Sequence, residues 1–235
     1  MQRGLTLVEV LVVVFFVVIL IGLLPNRHPG TRAKAERIAC VNNLRQIGLA
    51  FRAFATDHGG KYPTDLSVTN SGSREWLADE TRLWRHFLVV SNRVETPKLL
   101  LCPEDKERLP VKSFWKSDPR PPTWSQLTSN SQLSYFLGPE ARDEQPQSIW
   151  MGDRNLSCGT NPVAPGRLVV TPEAGSPFAS DRKYALGFTA QMHNQAGNIM
   201  LGDGSVQQVT SGRLRDFVRD ALTSEGVRTN LWLVP

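Results

Sequence analysis

The sequence predicts an α+β protein: a long N-terminal helix, first apolar and then amphipathic, leading into a head with an antiparallel β-sheet towards its C-terminus. Three observations carry this expectation. Leu5 to Leu24 form a run of twenty positions whose only polar members are Thr6 and Glu9. Between residues 32 and 58, apolar side chains recur every three or four positions, the period of one helix face. Asn198 to Val209 set apolar residues on both sides of Asp203-Gly204, a dipeptide suited to the left-handed backbone of a tight hairpin turn.

Taken in order, residues 1–4 are polar, cationic or glycine, and 5–24 are long enough to cross a bilayer core as a transmembrane helix, which takes roughly 20 residues at about 1.5 Å each. Proline and glycine in Pro25-Asn26-Arg27-His28-Pro29-Gly30 interrupt that helix. A helical pattern resumes at Thr31, so 25–60 read as the amphipathic continuation, with Ile38, Val41, Leu44, Gly48, Phe51 and Ala55 inward and Arg45 and Arg52 outward. Gly59-Gly60 ends it, and 61–235 form the head. In the head, Glu75 to Val90 read as a helix, Leu99 to Leu101 as a short strand or turn entry, and 110–130 as a long loop. Ser134 to Gly138, Ile149 to Asp153 and Leu168 to Val170 read as strands, and Gly212 to Ser224 as a last helix.

The composition is that of an ordinary globular domain, 40% hydrophobic and 21% charged. A net charge of +5 is spread along the chain with no basic-aromatic alternation, which argues against a nucleic-acid partner. Cys40, Cys102 and Cys158 lack any CxxC spacing. Cys40 lies in the helical stretch and reads as a packed residue, which leaves Cys102 and Cys158, each beside loop-forming residues, as the candidate disulfide in an oxidising compartment. Arg3 stands against Arg27, Arg32, Lys34 and Arg37 across the apolar run, a count that by itself keeps the long part in the cytoplasm.

Gly4-Leu5-Thr6-Leu7-Val8-Glu9 resembles the prepilin cleavage and methylation signal of type IV pilins and type II secretion pseudopilins. The resemblance implies cleavage after Gly4 and N-methylation of Leu5 by a prepilin peptidase, which makes 1–4 a leader. Leu5 stands where the family most often has phenylalanine. Glu9 is then the assembly residue, pairing with the amino terminus of a neighbouring subunit. A second resemblance is to the H-X9-DG domain of planctomycete and verrucomicrobial proteins. His193 and Asp203-Gly204 carry it, together with Cys40-Val41-Asn42-Asn43-Leu44-Arg45-Gln46-Ile47-Gly48-Leu49-Ala50, Leu101-Cys102-Pro103-Glu104-Asp105 and Gly152-Asp153-Arg154-Asn155. Together they imply a pilin-like fold and a non-enzymatic subunit, single-pass in the bacterial inner membrane with a periplasmic head. Its expected partners are the peptidase, other pseudopilin subunits and the secretion or pilus assembly machinery.

The candidate chemistry of the head is sparse. His193 and Asp203 read either as a metal or catalytic dyad on adjacent strands of a hairpin, or as a structural bond from His193 to a carboxylate or carbonyl. The lack of a GxSxG or HExxH motif favours the second. Asp105, Asp153 and Asp203 sit in turn contexts and offer the oxygen ligands that calcium takes, though without EF-hand spacing. The six tryptophans are scattered and read as packing residues rather than a glycan platform.

Overall fold

The computed structural model describes residues 6–22, 29–114, 126–170, 186–224 and 230–235. The chain divides into two compact units, Met1–Lys34 and Ala35–Pro235.

In the first unit, helix α1 (Leu7–Gly22) is 16 residues long and all of its residues are exposed. Thr6 and Glu9 close its N-terminus as a reciprocal capping box. The Thr6 amide donates to Glu9 Oε2 at 2.8 Å, and the Glu9 amide donates to Thr6 Oγ1 at 3.4 Å. Among the described residues no helix is long and apolar enough to cross a membrane. Leu5, Leu23, Leu24 and the break from Pro25 to His28 lie outside the described residues, as does the leader 1–4.

The second unit is an α+β head built on helix α2 (Pro29–Asp57) from Ala35 onward. Its inward stripe is wider than the spacing implied: Cys40, Ile47, Ala50 and Phe54 join Val41, Leu44, Phe51 and Ala55 in the core, while Ile38 stays 56% exposed. Glu75 to Val90 do not form one helix. They break into 3₁₀ turns at Arg74–Ala78 and Glu80–Arg82, then α3 (Trp84–Val89). The cause is local, because Asp79 accepts from the Thr81 amide at 3.0 Å and starts a new turn. Leu99 and Leu100 lie in another 3₁₀ turn, Pro97–Leu100.

The strands are β1 (Tyr135–Leu137), β2 (Ile149–Asp153), β3 (Leu156–Cys158), β4 (Asn161–Pro162), β5 (Gly166–Val170), β6 (Leu186–Phe188), β7 (Ala196–Leu201), β8 (Val206–Thr210) and β9 (Asn230–Val234). The main sheet has the order β5-β9-β1-β2-β7-β8, and β4-β3-β6 form a smaller one. Every ladder between these strands is antiparallel. Period-two alternation gives the main sheet two buried faces. Tyr135, Leu137, Met200 and Leu233 join α2 in one core. Phe136, Ile199, Leu201, Trp232 and Val234 join α4 (Ser211–Ser224) in the other. Trp150 and Met151 depart from alternation by sharing the α2 side. A bulge between Ile149 and Met151 shifts the register there.

The anticipated strands within 134–138, 149–153 and 168–170, the hairpin and the last helix are all present. Strands β3, β6 and β9 fell in stretches not read as β. Strand β9 lies between β5 and β1, with Trp232 fully buried.

Candidate functional site

Four sequence stretches that carry the H-X9-DG resemblance meet in the interior of the head. Helix α2 contributes Cys40 and Asn43, the turn after Pro97–Leu100 contributes Cys102, Glu104 and Asp105, the end of β2 contributes Asp153, Arg154 and Asn155, and the loop before β7 contributes His193.

Cys40 and Cys102 form a disulfide. This corrects the pairing of Cys102 with Cys158; Cys158 lies at the end of β3 in the smaller sheet. The sulfurs are fully enclosed, with Cys40 at 0% and Cys102 at 2% exposure. One helical turn further along α2, Asn43 Nδ2 donates to the Leu101 carbonyl at 2.9 Å, so helix and turn are joined twice. Gly48 permits close approach of the sheet: a Cβ there would lie 2.4 Å from Met200 Cε.

His193 packs directly on the disulfide, with Nε2 3.4 Å from Cys102 Sγ. Glu104 Oε2 touches His193 Nδ1, while Asp153 Oδ2 lies 3.3 Å and Asn198 Nδ2 3.2 Å from Nε2. Asp153 is wholly buried at the end of β2, and its Oδ2 accepts from the Asn198 amide at 2.7 Å and Asn198 Nδ2 at 2.8 Å. Its other oxygen, Oδ1, has no hydrogen-bond partner among the described residues. Burial pushes the Asp153 carboxyl above its ordinary range, against the opposing effect of His193 and Asn198. Burial alone would lower the His193 imidazole; the carboxylates of Asp153 and Glu104 outweigh it and raise it.

Backbone geometry is unusual at the same place. His193, Asn194 and Gln195 have φ of 52°, 50° and 61°, three consecutive non-glycine residues in the left-handed region. Such a turn costs about 1–2 kcal/mol per residue and persists only where its surroundings over-determine it. Asn155 supplies much of that restraint: its Nδ2 lies within 3.0–3.2 Å of the Thr189, Met192 and Ala196 carbonyls. The flanking Arg154 grips Asp105 through Nε at 2.7 Å and Nη2 at 2.8 Å, and reaches Glu107 at 2.8 Å. Burial, reinforced by the Arg154 guanidinium, pushes Arg108 beside Asp105 down to about 10.

Asp203 and Gly204 lie elsewhere. They form the turn beyond the far end of β7, six residues of strand away from the His193 loop, or about 20 Å. Asp203 Oδ1 accepts from the Ser205 amide at 2.7 Å, and Gly204 takes φ 82°. Arg52 seals this turn by donating to the Gly202 carbonyl at 2.6 Å and to Asp143 at 3.1 Å, so it does not point away as its spacing implied. The His193–Asp203 dyad is therefore not formed, and His193 is held by Glu104 and Asp153 instead. Nor do Asp105, Asp153 and Asp203 come together. The first is paired with Arg154, the second serves Asn198 and His193, and the third caps its own turn.

Glu9 stands in the first turn of α1, satisfied by Thr6; Gly4 and Leu5 lie outside the described residues. Sequence reasoning passed over Glu104, Asn155 and Asn198. All three lie in stretches with a sequence signal of their own, but only the fold shows what they touch. Of the tryptophans, Trp150 and Trp232 are core residues, Trp76 and Trp84 flank the Arg85 guanidinium at 5.0 and 4.8 Å, and Trp115 and Trp124 lie outside the described residues. No protein-family model, no curated protein and no solved structure matches this chain.

Proposed function

We propose that the chain is a pseudopilin-type subunit. It is cleaved after Gly4 and N-methylated on Leu5 by a prepilin peptidase. Its apolar N-terminal segment holds it in the inner membrane, with the head on the periplasmic side, until it enters a filament serving type II secretion or a pilus-like fibre. The observation that carries this reading is α1 itself. It is sixteen residues with no charge other than Glu9, exposed throughout, and only Thr6 separates it in sequence from the cleavage-like Gly4-Leu5 pair. Exposed apolar area of that extent marks an interaction surface. A bilayer first, and neighbouring copies of the same helix later, would cover it.

Glu9 fits both states. Bonded to Thr6, its carboxylate is not bare in an apolar setting. In a filament it would add the ammonium group of a neighbour's Leu5, a charge that is costly to leave unpaired away from water. The buried Cys40–Cys102 link supports a head that matures in an oxidising compartment. In this reading the protein is the substrate of a peptidase and an assembly part rather than an enzyme.

Mass spectrometry of the amino terminus tests the reading. Chain purified from membranes should begin at Leu5 carrying one methyl group, and Gly4→Glu should leave it unprocessed. An intact Met1 in the membrane-purified protein would refute it.

A further inference from the structure

The surroundings of the Cys40–Cys102 disulfide have the makings of a metal site. The sulfurs of Cys40 and Cys102 and a ring nitrogen of His193 all lie within 4.8 Å of one another. A tetrahedral Zn²⁺ site with Zn–S about 2.3 Å and Zn–N or Zn–O about 2.0–2.1 Å has ligand-to-ligand edges of about 3.3–3.8 Å. Two such edges already exist here: Cys102 Sγ to His193 Nε2 at 3.4 Å, and His193 Nε2 to Asp153 Oδ2 at 3.3 Å. The two sulfurs, bonded to each other in the oxidised chain, have to part, and the Asp153 carboxylate, which lies outside the 4.8 Å grouping of the other three ligand atoms, has to close on them.

The supporting groups are in place as well. Metal-binding imidazoles commonly give their other nitrogen to a carboxylate, which fixes the tautomer and orients the ring. Glu104 stands beside Nδ1 in an ion-pair contact, placed to take that part once the ring binds a metal, and Nδ1 makes no hydrogen bond among the described residues in the oxidised chain. Asp153 is steadied on Oδ2 by two donors from Asn198, and its buried Oδ1 has no partner among the described residues. The left-handed turn at His193 holds the ring against this cluster at a backbone cost that an ordinary core contact would not need.

We propose that Cys40, Cys102, His193 and Asp153 form a site with two alternative states: a disulfide when oxidised, and a Cys₂-His-Asp site for a thiophilic divalent cation such as Zn²⁺ when reduced. In the switch, a dithiol reductant gives two electrons and two protons to the Cys40–Cys102 bond and becomes a disulfide itself, leaving two thiols. Zn²⁺ then replaces the two thiol protons, and also the imidazole proton where His193 enters protonated. The site is enclosed, so the ion is captured as the reduced chain folds or when reduction opens the turn at Cys102. The proposal is independent of filament assembly.

Co²⁺ and Zn²⁺ titrations of the full chain in detergent, with and without prior reduction, test it. The reduced wild type should take up one Co²⁺ per chain with a thiolate-to-metal charge-transfer band and the visible absorption of tetrahedral Co²⁺. Zn²⁺ should displace both signals. The oxidised chain and the reduced Cys40→Ala/Cys102→Ala variant should show neither. Glu104→Gln should weaken uptake roughly 10–100-fold, as loss of an outer hydrogen bond to a ligand does. His193→Ala should abolish the tetrahedral spectrum, and Asp203→Ala should leave the titration unchanged. The proposal is overturned if the reduced wild type gives no thiolate band or stays unfolded with Zn²⁺ present, or if the oxidised chain gives the same band. Wild-type affinity in His193→Ala also overturns it. Should that variant not fold, unchanged affinity in both Glu104→Gln and Asp153→Asn serves as the refutation.

Discussion

Removing the Cys40–Cys102 link with the double substitution Cys40→Ala/Cys102→Ala should be the most costly simple change to the head that leaves its fold intact. The two cysteines are 62 residues apart in sequence. In the chain-entropy account, closing a loop of that length removes about 14 cal/mol/K from the unfolded ensemble, or about 4 kcal/mol at 25 °C. For a domain of this size, each kcal/mol moves the melting temperature by roughly 2–4 °C, so the midpoint should fall by about 8–16 °C. The substitution is to alanine because both positions are buried, and a serine hydroxyl there would add a desolvation cost unrelated to the link. Urea unfolding of the full chain, oxidised and reduced, is the assay. The double variant and the reduced wild type, measured without metal, should coincide. Both should show a larger denaturant slope than the oxidised wild type, because an uncrosslinked unfolded chain exposes more surface. Cys158→Ala should retain the whole sensitivity to reductant. Oxidised and reduced wild type within about 1 kcal/mol of each other, or loss of reductant sensitivity in Cys158→Ala, would refute the reasoning.

Burial lowers the imidazole of His86 to about 4, and its Nδ1 lies 2.7 Å from Ser73 Oγ. A base depressed on folding stabilises the native state above its unfolded pKa of 6.5 and loses that contribution as pH falls towards 4. Urea midpoints across that window should therefore drop by an amount equivalent to about 3 kcal/mol. His86→Gln should flatten the dependence; an equal slope in the variant would count against the assignment. Asn155→Ala should cost about 2–4 kcal/mol by leaving buried carbonyls unpaired around the left-handed turn. The Gln195 amide, bonded to the Thr189 carbonyl at 3.2 Å, should then exchange its hydrogen faster, and unchanged exchange would show that Asn155 does not restrain the loop. Gly204→Ala puts a Cβ 2.5 Å from Arg52 Nη1 at a φ of 82° and should cost about 2–4 kcal/mol in thermal unfolding. Asp203→Ala loses one exposed bond and should cost about 1 kcal/mol or less. Equal losses in the two variants would mean that backbone conformation is not what matters at that turn.

Local pattern was enough to locate α2 and α4, whose apolar spacing records a buried face, and β1, β2, β5 and the β7–β8 hairpin, which are short apolar runs bounded by turn residues. The capping box of Thr6 and Glu9 is equally local: a threonine three residues before a glutamate at the head of an apolar run is readable as a helix start. Strand β9 was less legible, since Leu231 to Val234 form a continuous apolar run without alternation, and only pairing with β5 and β1 shows why both of its faces are apolar. The break of Glu75 to Val90 into short turns depended on side-chain bonds such as Asp79 to Thr81 that compete with helix propagation.

The chain by itself determined which residues matter in the head, for Cys40, Cys102, Asp153 and His193 all stood in stretches singled out in advance. Tertiary structure alone decided how they combine. Three cysteines allow three pairings, and the choice of Cys40 with Cys102 follows from α2 and the Leu101–Asp105 turn covering the same end of the sheet. Likewise the spacing from His193 to Asp203 invited a partnership that a six-residue strand forbids. His193 turned instead to Glu104 and Asp153: pairing of β2 with β7 brings Asp153 beside it, and the turn that carries Cys102 brings Glu104.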